Sequence, residues 1–135
     1  MALVAWDETF SVGVKSLDGQ HTILFGCLND LHAAMMKGQG QSMTGPLLRK
    51  LVEYTHSHFA AEESMMESTH FPGVAEHKAK HRALVAEVEN YVARFEKGEI
   101  TLTLHLMNFL RDWLINHIQK SDHEYGPWLN EHGVR

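Results

Sequence analysis

The stretch LVEYTHSHFAAEESMM, residues 51–66, decides the fold because it places ionisable residues inside the apolar face of a helix. Leu51 and Met66 belong to a series of residues at three- and four-residue steps, the spacing of one side of an α-helix. His58 and Glu62 are four residues apart and lie on that same side. We therefore expect both to face the core, where a charged group is costly unless a partner neutralises it.

Three further segments show the same helical periodicity. The four predicted helices span residues 18–37, 45–67, 74–97 and 101–121. Residues 1–17 are predicted to form an N-terminal arm that Trp6, Phe10 and Val12 anchor against the helices. Strand-like alternation of useful length does not occur, and the intervening loops are short. This pattern is typical of an all-α, up-down-up-down antiparallel four-helix bundle forming one domain over residues 1–135.

Capping residues give the expected helix ends. Asp18 is the predicted N-cap of the first helix. Thr44 or Ser42 is expected to cap the second helix, with Pro46 in its first turn. Gly98 fits the position just beyond the end of the third helix, where glycine is favoured.

The composition is that of an ordinary globular protein. The chain has 135 residues, of which 44% are hydrophobic and 21% are charged. A formal net charge of -5 argues against nucleic acid or an anionic membrane as a partner. The one cysteine, Cys27, excludes an intramolecular disulfide and is consistent with a reducing compartment. With no signal-peptide pattern and no apolar run that could span a bilayer, we expect a cytoplasmic monomer that does not insert into membranes.

The chain contains 11 histidines, an unusually high number, and several of them continue apolar helical faces. His77 and His81 do so on the third predicted helix, His117 on the fourth and His21 on the first. A single histidine on an apolar face is more often a core residue bonded to a backbone carbonyl. In an antiparallel bundle, however, all of these positions fall at the same end as His58. So many buried ionisable groups together predict a metal site at that end.

Asp122 is the candidate for a further ligand beside His117. The two residues are five apart, which on a regular helix means a difference in direction of about 140°. Asp122 therefore reaches the site only if the helix widens into a π-type turn or unwinds there. Ser121 has the more regular spacing, but a serine hydroxyl is a poor metal ligand.

The set of side chains indicates the metal. Imidazole and carboxylate groups without a thiolate suit iron, and they match zinc or manganese less well. Seven protein ligands exceed the needs of one ion, so two ions bridged by carboxylates fit better. The seven candidate ligands are His21, His58, Glu62, His77, His81, His117 and Asp122.

These residues occur in motifs that resemble a known family. After His21 come HFAAE at 58–62, HKAKH at 77–81 and HIQKSD at 117–122. Together with the flanking stretches WDETFSVGVKSLDGQH, WLINHI and DHEYGPWL, they resemble the hemerythrins, and in particular the single-domain bacterial hemerythrins. The resemblance covers nearly the whole chain. The family also has a carboxylate five residues after this histidine, which supports Asp122 as a ligand.

The resemblance implies a non-haem di-iron centre that binds dioxygen. It implies that one iron is held by three histidines, His77, His81 and His117. The other iron would be held by His21 and His58 and would keep an open position for O₂. Glu62, Asp122 and an oxo or hydroxo group would bridge the two irons.

Apolar residues within one turn of these ligands are expected to line an oxygen pocket that excludes water. They are Leu24, Phe25, Phe59, Trp113 and Leu114.

The function expected is reversible O₂ storage, transport or delivery to an oxygen-consuming enzyme, and the protein itself is not expected to be an enzyme. The alternatives are a di-iron oxidase, a peroxidase, a nitric oxide-handling enzyme, or a sensor of oxygen or iron. An enzyme would need an acid near the open iron, and Glu63 is the nearest candidate in sequence. We expect Glu63 and His56 to be solvated, because both lie away from the centre of the apolar face.

Overall fold

Helices make up most of the computed structural model, which describes residues 3–99 and 104–135. The helices of the bundle are α1 (Lys15–Met36), α2 (Gln41–Ser68), α3 (Val74–Glu96) and α4 (Leu104–Asn116). A π-helical segment, His117–Asp122, joins α4 to α5 (His123–Glu131). A short 3-10 helix, Glu8–Phe10, lies in the N-terminal arm.

The helices form the predicted all-α antiparallel bundle. Helix α1 packs against α2 and α4, and α2 packs against α3. The core between them consists mainly of leucines, such as Leu28 and Leu31 of α1 and Leu48 of α2, each at most 1% exposed. Within the described ranges, none of the helices combines the length and the hydrophobicity needed to cross a membrane.

Helix α1 begins earlier than predicted, at Lys15, with Val14 as its N-cap. The prediction of Asp18 as N-cap is therefore wrong, because Asp18 lies inside the first helical turn. Its carboxylate accepts hydrogen bonds from the Val12 backbone N–H at 2.8 Å and from the Ser11 hydroxyl at 2.6 Å. Asp18 thus fastens the end of the arm to the helix.

Helix α2 also begins earlier than predicted, at Gln41, with Gly40 as its N-cap. The expected caps Ser42 and Thr44 both lie within the helix, and the Thr44 N–H donates to the carbonyl of Gly40 at 3.0 Å. Pro46 therefore belongs to the second turn and not to the first. A proline there removes one helical hydrogen bond, which a helix of this length tolerates near its start.

The last helical region extends ten residues beyond its predicted end at residue 121, to Glu131. The reason is packing, since Tyr125 and Leu129 are both 0% exposed and continue the buried face. The predicted start of this helix at residue 101 lies outside the described residues.

The third helix and the arm agree with the sequence. Gly98 follows α3 with a φ of +76°, and its N–H donates to the carbonyl of Phe95 at 3.0 Å, as expected of a residue that ends a helix. In the arm, the rings of Trp6 and Phe10 both contact the ring of Phe25 on α1. Val12, the third predicted anchor, is 5% exposed.

Candidate metal centre

All seven predicted ligands meet at one end of the bundle. They come from the beginning of α1, the later turns of α2, the first turns of α3 and the π-helical segment. Each is at most 6% exposed: His21, His58, Glu62, His77, His81, His117 and Asp122.

The side chains form two groups that share both carboxylates. The three-histidine group consists of His77, His81 and His117 with Glu62 and Asp122. The two-histidine group consists of His21 and His58 with the same two carboxylates. Within each group, one ligand atom from every residue lies within 4.8 Å of all the others. Each group could therefore hold one metal ion.

The carboxylate of Glu62 turns one oxygen toward each group. Its Oε2 lies 3.0 Å from the Nε2 atoms of both His21 and His58. Its Oε1 lies 3.3 Å from the Nε2 of His81 and 3.6 Å from that of His77. This is the arrangement of a carboxylate that bridges two ions.

Asp122 has the same arrangement. Its Oδ1 lies 3.0 Å from the Nε2 atoms of both His77 and His117, and its Oδ2 lies 3.2 Å from the Nε2 of His21. Each of the two carboxylates therefore turns one oxygen toward the three-histidine group and the other toward the two-histidine group.

The π-helical segment is what brings Asp122 to the site. It begins at His117 and ends at Asp122, so the wider turn occupies the five-residue interval between the two side chains. Ser121, the alternative with regular spacing, instead accepts a hydrogen bond from Lys80 at 3.0 Å. The local widening that the sequence required is thus present.

Several atoms at this centre are buried without a hydrogen-bond partner. They are Oε1 of Glu62, Nε2 of His77, both carboxylate oxygens of Asp122 and Nδ1 of His21. Buried polar atoms are nearly always satisfied, so a cluster of unsatisfied lone pairs pointing inward indicates a bound cation. Imidazole nitrogens and carboxylate oxygens are ligands that suit iron. The residues present therefore fit a pair of iron ions.

Two hydrogen bonds on the outside of the cluster orient its histidines. The Nδ1 of His58 donates to the side-chain oxygen of Gln20 at 2.7 Å, and the Nδ1 of His81 donates to a carboxylate oxygen of Glu63 at 2.8 Å. A neutral imidazole with its proton on Nδ1 has its lone pair on Nε2, the atom that faces the carboxylates. These contacts hold both rings in the form that binds a metal.

The sequence did not predict either of these outer hydrogen bonds. Gln20 directly precedes His21, and Glu63 directly follows Glu62, so adjacency to a ligand was the available signal. The expectation that Glu63 is solvated is wrong, because its side chain is only 26% exposed and contacts His81. The Glu63 carboxylate lies at the edge of the apolar face and accepts the Nδ1 proton of His81. His56, with its side chain 49% exposed, is solvated as expected.

Tyr125 is a further contact that the sequence did not identify. Its hydroxyl donates to Oε2 of Glu62 at 2.7 Å, and both residues are 0% exposed. Burial raises the pKa of Tyr125 well above its usual value, and the charges of Asp122 and Glu62 raise it further. The signal was its place in the helix, since it lies one turn after Asp122.

The opposite charges in the cluster shift each other's pKa values. Burial on its own lowers the pKa of His21 and His77, but Asp122 and Glu62 outweigh it and raise both values to about 9. Burial raises the pKa of Glu62, yet the surrounding histidines, above all His58, bring it well below its usual value. Burial and the charge of Glu62 raise the pKa of Asp122, and the nearby imidazoles of His117, His21 and His77 more than offset this and lower it. Without metal, the cluster therefore holds protons on histidine and charge on the carboxylates.

An apolar cavity of about 50 Å³ lies in the bundle, and none of the seven predicted ligands lines it. Four of the five predicted pocket residues line it, namely Leu24, Phe59, Trp113 and Leu114.

The aromatic pocket residues also pack directly on ligands. The ring of Phe59 stacks on His81 with centroids 3.6 Å apart, and that of Trp113 stacks on His117 at 4.4 Å. Phe25, the fifth predicted pocket residue, is not among the residues that line the cavity. Its ring instead contacts the arm, through Trp6 and Phe10.

Comparisons with known proteins agree with this geometry. Residues 12–129 match the hemerythrin HHE cation-binding domain. The chain is 36% identical to a bacteriohemerythrin of Stenotrophomonas maltophilia, covering 98% of this chain and 85% of that protein. It is 37% identical to a bacteriohemerythrin of Methylococcus capsulatus, covering 96% and 99%. A crystal structure of a wild-type hemerythrin, 36% identical, superimposes with a TM-score of 0.91 and covers 95% of this chain and 98% of that one. The chain therefore belongs to the hemerythrin family.

Proposed function

We propose that this protein binds dioxygen reversibly at a non-haem di-iron centre and serves oxygen storage, transport or delivery. The observation that carries the proposal is the division of the carboxylate oxygens of Glu62 and Asp122 between two groups of histidines. Family membership supports it independently. When iron is bound, a di-iron pair supplies the two electrons that binding of O₂ formally requires.

The ligand assignment is part of the proposal. His77, His81 and His117 would hold one iron, and His21 and His58 the other. Glu62 and Asp122 would bridge both, together with an oxo or hydroxo group. The distances to the Nε2 atoms support this division, because each carboxylate oxygen approaches only one of the two groups.

The surrounding residues would keep water and protons away from bound oxygen. The cavity lined by Leu24, Phe59, Trp113 and Leu114 has a volume sufficient for a few molecules of the size of water or O₂. Because its walls are apolar, water gains few hydrogen bonds by entering, whereas apolar O₂ loses little. This selectivity favours release of oxygen unchanged over its reduction.

We propose binding in preference to enzymatic turnover. An oxidase or peroxidase would require an acid near the iron that is open to O₂. Glu63, the acid nearest in sequence, directs its carboxylate to the Nδ1 of His81, on the outer side of a ring in the three-histidine group. That position does not support proton delivery to the two-histidine group.

A monomeric single domain, a cytoplasmic location and an oxygen-consuming enzyme as the recipient are further predictions. Size-exclusion chromatography with light scattering tests the first, and fractionation of the native host's cells tests the second. Copurification of an oxygen-consuming enzyme under low oxygen tests the third.

The test of the function is spectroscopic. The protein is reduced without air and then exposed to O₂, and we expect a visible absorption band that disappears when O₂ is removed. Metal analysis should give two irons per chain, one for each group of histidines. A lasting spectral change after one exposure would favour an enzyme, and a different iron content would contradict the di-iron proposal.

A matched pair of double variants tests the ligands. His58→Ala with Glu62→Ala should abolish both the two-iron content and the reversible band. The control replaces His105 and Glu53 by alanine, since both are exposed and lie outside the cluster. Retention of iron and of the band in the first double variant would refute the assignment.

A further inference from the structure

The two histidine groups have outer hydrogen-bond acceptors of different charge. In the three-histidine group, His81 donates its Nδ1–H to the carboxylate of Glu63 at 2.8 Å. In the two-histidine group, His58 donates its Nδ1–H to the neutral amide oxygen of Gln20 at 2.7 Å. A carboxylate acceptor pulls the proton more strongly and makes the opposite nitrogen a better metal ligand. Two bonds of nearly equal length therefore have unequal effects.

The bridging carboxylate of Glu62 adds to the same inequality. Its Oε2, which faces the two-histidine group, accepts the hydroxyl proton of Tyr125 at 2.7 Å. Its Oε1, which faces the three-histidine group, has no hydrogen-bond partner and keeps its lone pairs for a cation. Hydrogen bonding to one carboxylate oxygen leaves that oxygen with less electron density to give. The two-histidine group thus has fewer imidazoles and a weaker bridging oxygen.

On the basis of the proposed di-iron function, we propose that Glu63 and Gln20 are positioning residues that make the two groups hold iron unequally. Glu63 strengthens the three-histidine group through His81, and Gln20 leaves the two-histidine group weaker through His58. The iron in the two-histidine group is then the first to leave. Loss of one iron would precede loss of both, and the exchangeable iron would be the one with the open position.

Iron release from the loaded, full-length protein tests this inequality. The reduced protein is mixed without air with a colour-forming chelator of Fe²⁺, and the release of iron is followed over time. We expect two phases of equal amplitude, the fast one from the two-histidine group. Glu63→Gln should accelerate the slow phase about 10-fold, the lower end of the effect of such outer partners on metal affinity.

The reverse substitution supplies the complementary test. Gln20→Glu gives His58 a carboxylate acceptor and should slow the fast phase by a similar factor of about 10. The matched control is Glu53→Gln, the same chemical change at an exposed position of α2 outside the cluster. It should leave both phases unchanged, and a melting curve for each variant accounts for differences in overall stability.

The inference fails if Glu63→Gln leaves the slow phase unchanged, if Gln20→Glu leaves the fast phase unchanged, or if either variant changes both phases equally. A single release phase in the unmodified protein would also overturn it. These outcomes differ from a failure of the proposed function. A protein with two irons and a reversible oxygen band but one release phase would contradict only the inequality, whereas a protein without iron would contradict the function itself.

Discussion

Removing the hydroxyl group of Tyr125 measures how much its bond to Glu62 contributes to stability. Both side chains are 0% exposed and the oxygens are 2.7 Å apart. A hydrogen bond to a charged group contributes about 1.5–3 kcal/mol. The Nε2 atoms of His21 and His58 also lie 3.0 Å from the same oxygen, so Tyr125→Phe does not leave it isolated. We therefore expect the free energy of unfolding to fall by about 2 kcal/mol, in the lower half of that range.

The assay is urea unfolding of the metal-free protein, followed by far-ultraviolet circular dichroism. The matched control is Tyr54→Phe, at a half-buried position two turns before Glu62 along α2. Its effect should stay within about 0.5 kcal/mol. Equal effects of the two substitutions would refute the assignment of a stabilising bond to Tyr125. An unchanged slope of the free energy against urea concentration would show that the variants unfold in the same way.

Four other predictions concern two substitutions and the effect of pH. Phe59→Ala should lower the free energy of unfolding by about 3–5 kcal/mol. By admitting water, it should also shorten the lifetime of the oxygenated form about 10-fold or more, which corresponds to a barrier lower by about 1.4 kcal/mol. An unchanged lifetime, measured by visible absorption, would contradict the role of Phe59 in the pocket. Because His21 and His77 have a pKa of about 9 without metal, iron binding near neutral pH should release protons and strengthen as pH rises, which a pH indicator and titrations at several pH values measure. In the metal-free protein, His21 and His77 stabilise the fold because their pKa values are higher in the folded chain than in the unfolded chain. This stabilisation is complete below the unfolded pKa of 6.5 and is lost as pH rises through about 9. Urea midpoints that do not change with pH over this window would contradict the charge assignment. Gly126→Ala should lower the free energy of unfolding by about 1–3 kcal/mol, because the added Cβ would lie 2.3 Å from the backbone carbonyl oxygen of Val12 in the arm. Gly19→Ala is the control, since its added Cβ would have nothing within 4 Å. Thermal melts should show a lower melting temperature for the first variant only, and equal melting temperatures would contradict the close contact.

Helical periodicity explains why the meeting of these side chains at one end of the bundle could be predicted. His58 and Glu62, like His77 and His81, are four residues apart and interrupt apolar faces, so their direction follows from the geometry of one helix. Antiparallel packing then places these pairs at the same end of the bundle. For the histidines and Glu62, helix direction and face were sufficient, whereas Asp122 also required the π-type turn after His117.

The outer side of the cluster depends on contacts between helices and could not be predicted in this way. Gln20 of α1 meets His58 of α2, and Glu63 of α2 meets His81 of α3. Such pairs depend on how far each helix is rotated about its axis, which a pattern of apolar positions determines only to within the width of the face. Phe25 illustrates the same limit, since its ring contacts the arm while the side chain of the adjacent Leu24 lines the cavity.

Helix ends were the least predictable feature. Asp18 and Thr44 have good capping chemistry, but α1 and α2 already begin before them, at Lys15 and Gln41. A capping side chain adds about 1 kcal/mol, which buried contacts of one additional turn can exceed. In α1 such contacts are present, because Leu17 is 0% exposed.

The π-helical segment has a consequence for how the end of the chain is constrained. It shifts the register between two parts of one continuous helical region. Helix α4 packs in the bundle, and α5 places Tyr125 against Glu62 of the cluster. Winding the same six residues as a regular α-helix would turn everything after them by about 100°. Tyr125 and Leu129, both fully buried, would then rotate away from their present neighbours. The wider turn therefore sets the direction of the buried residues that follow it, as well as that of Asp122.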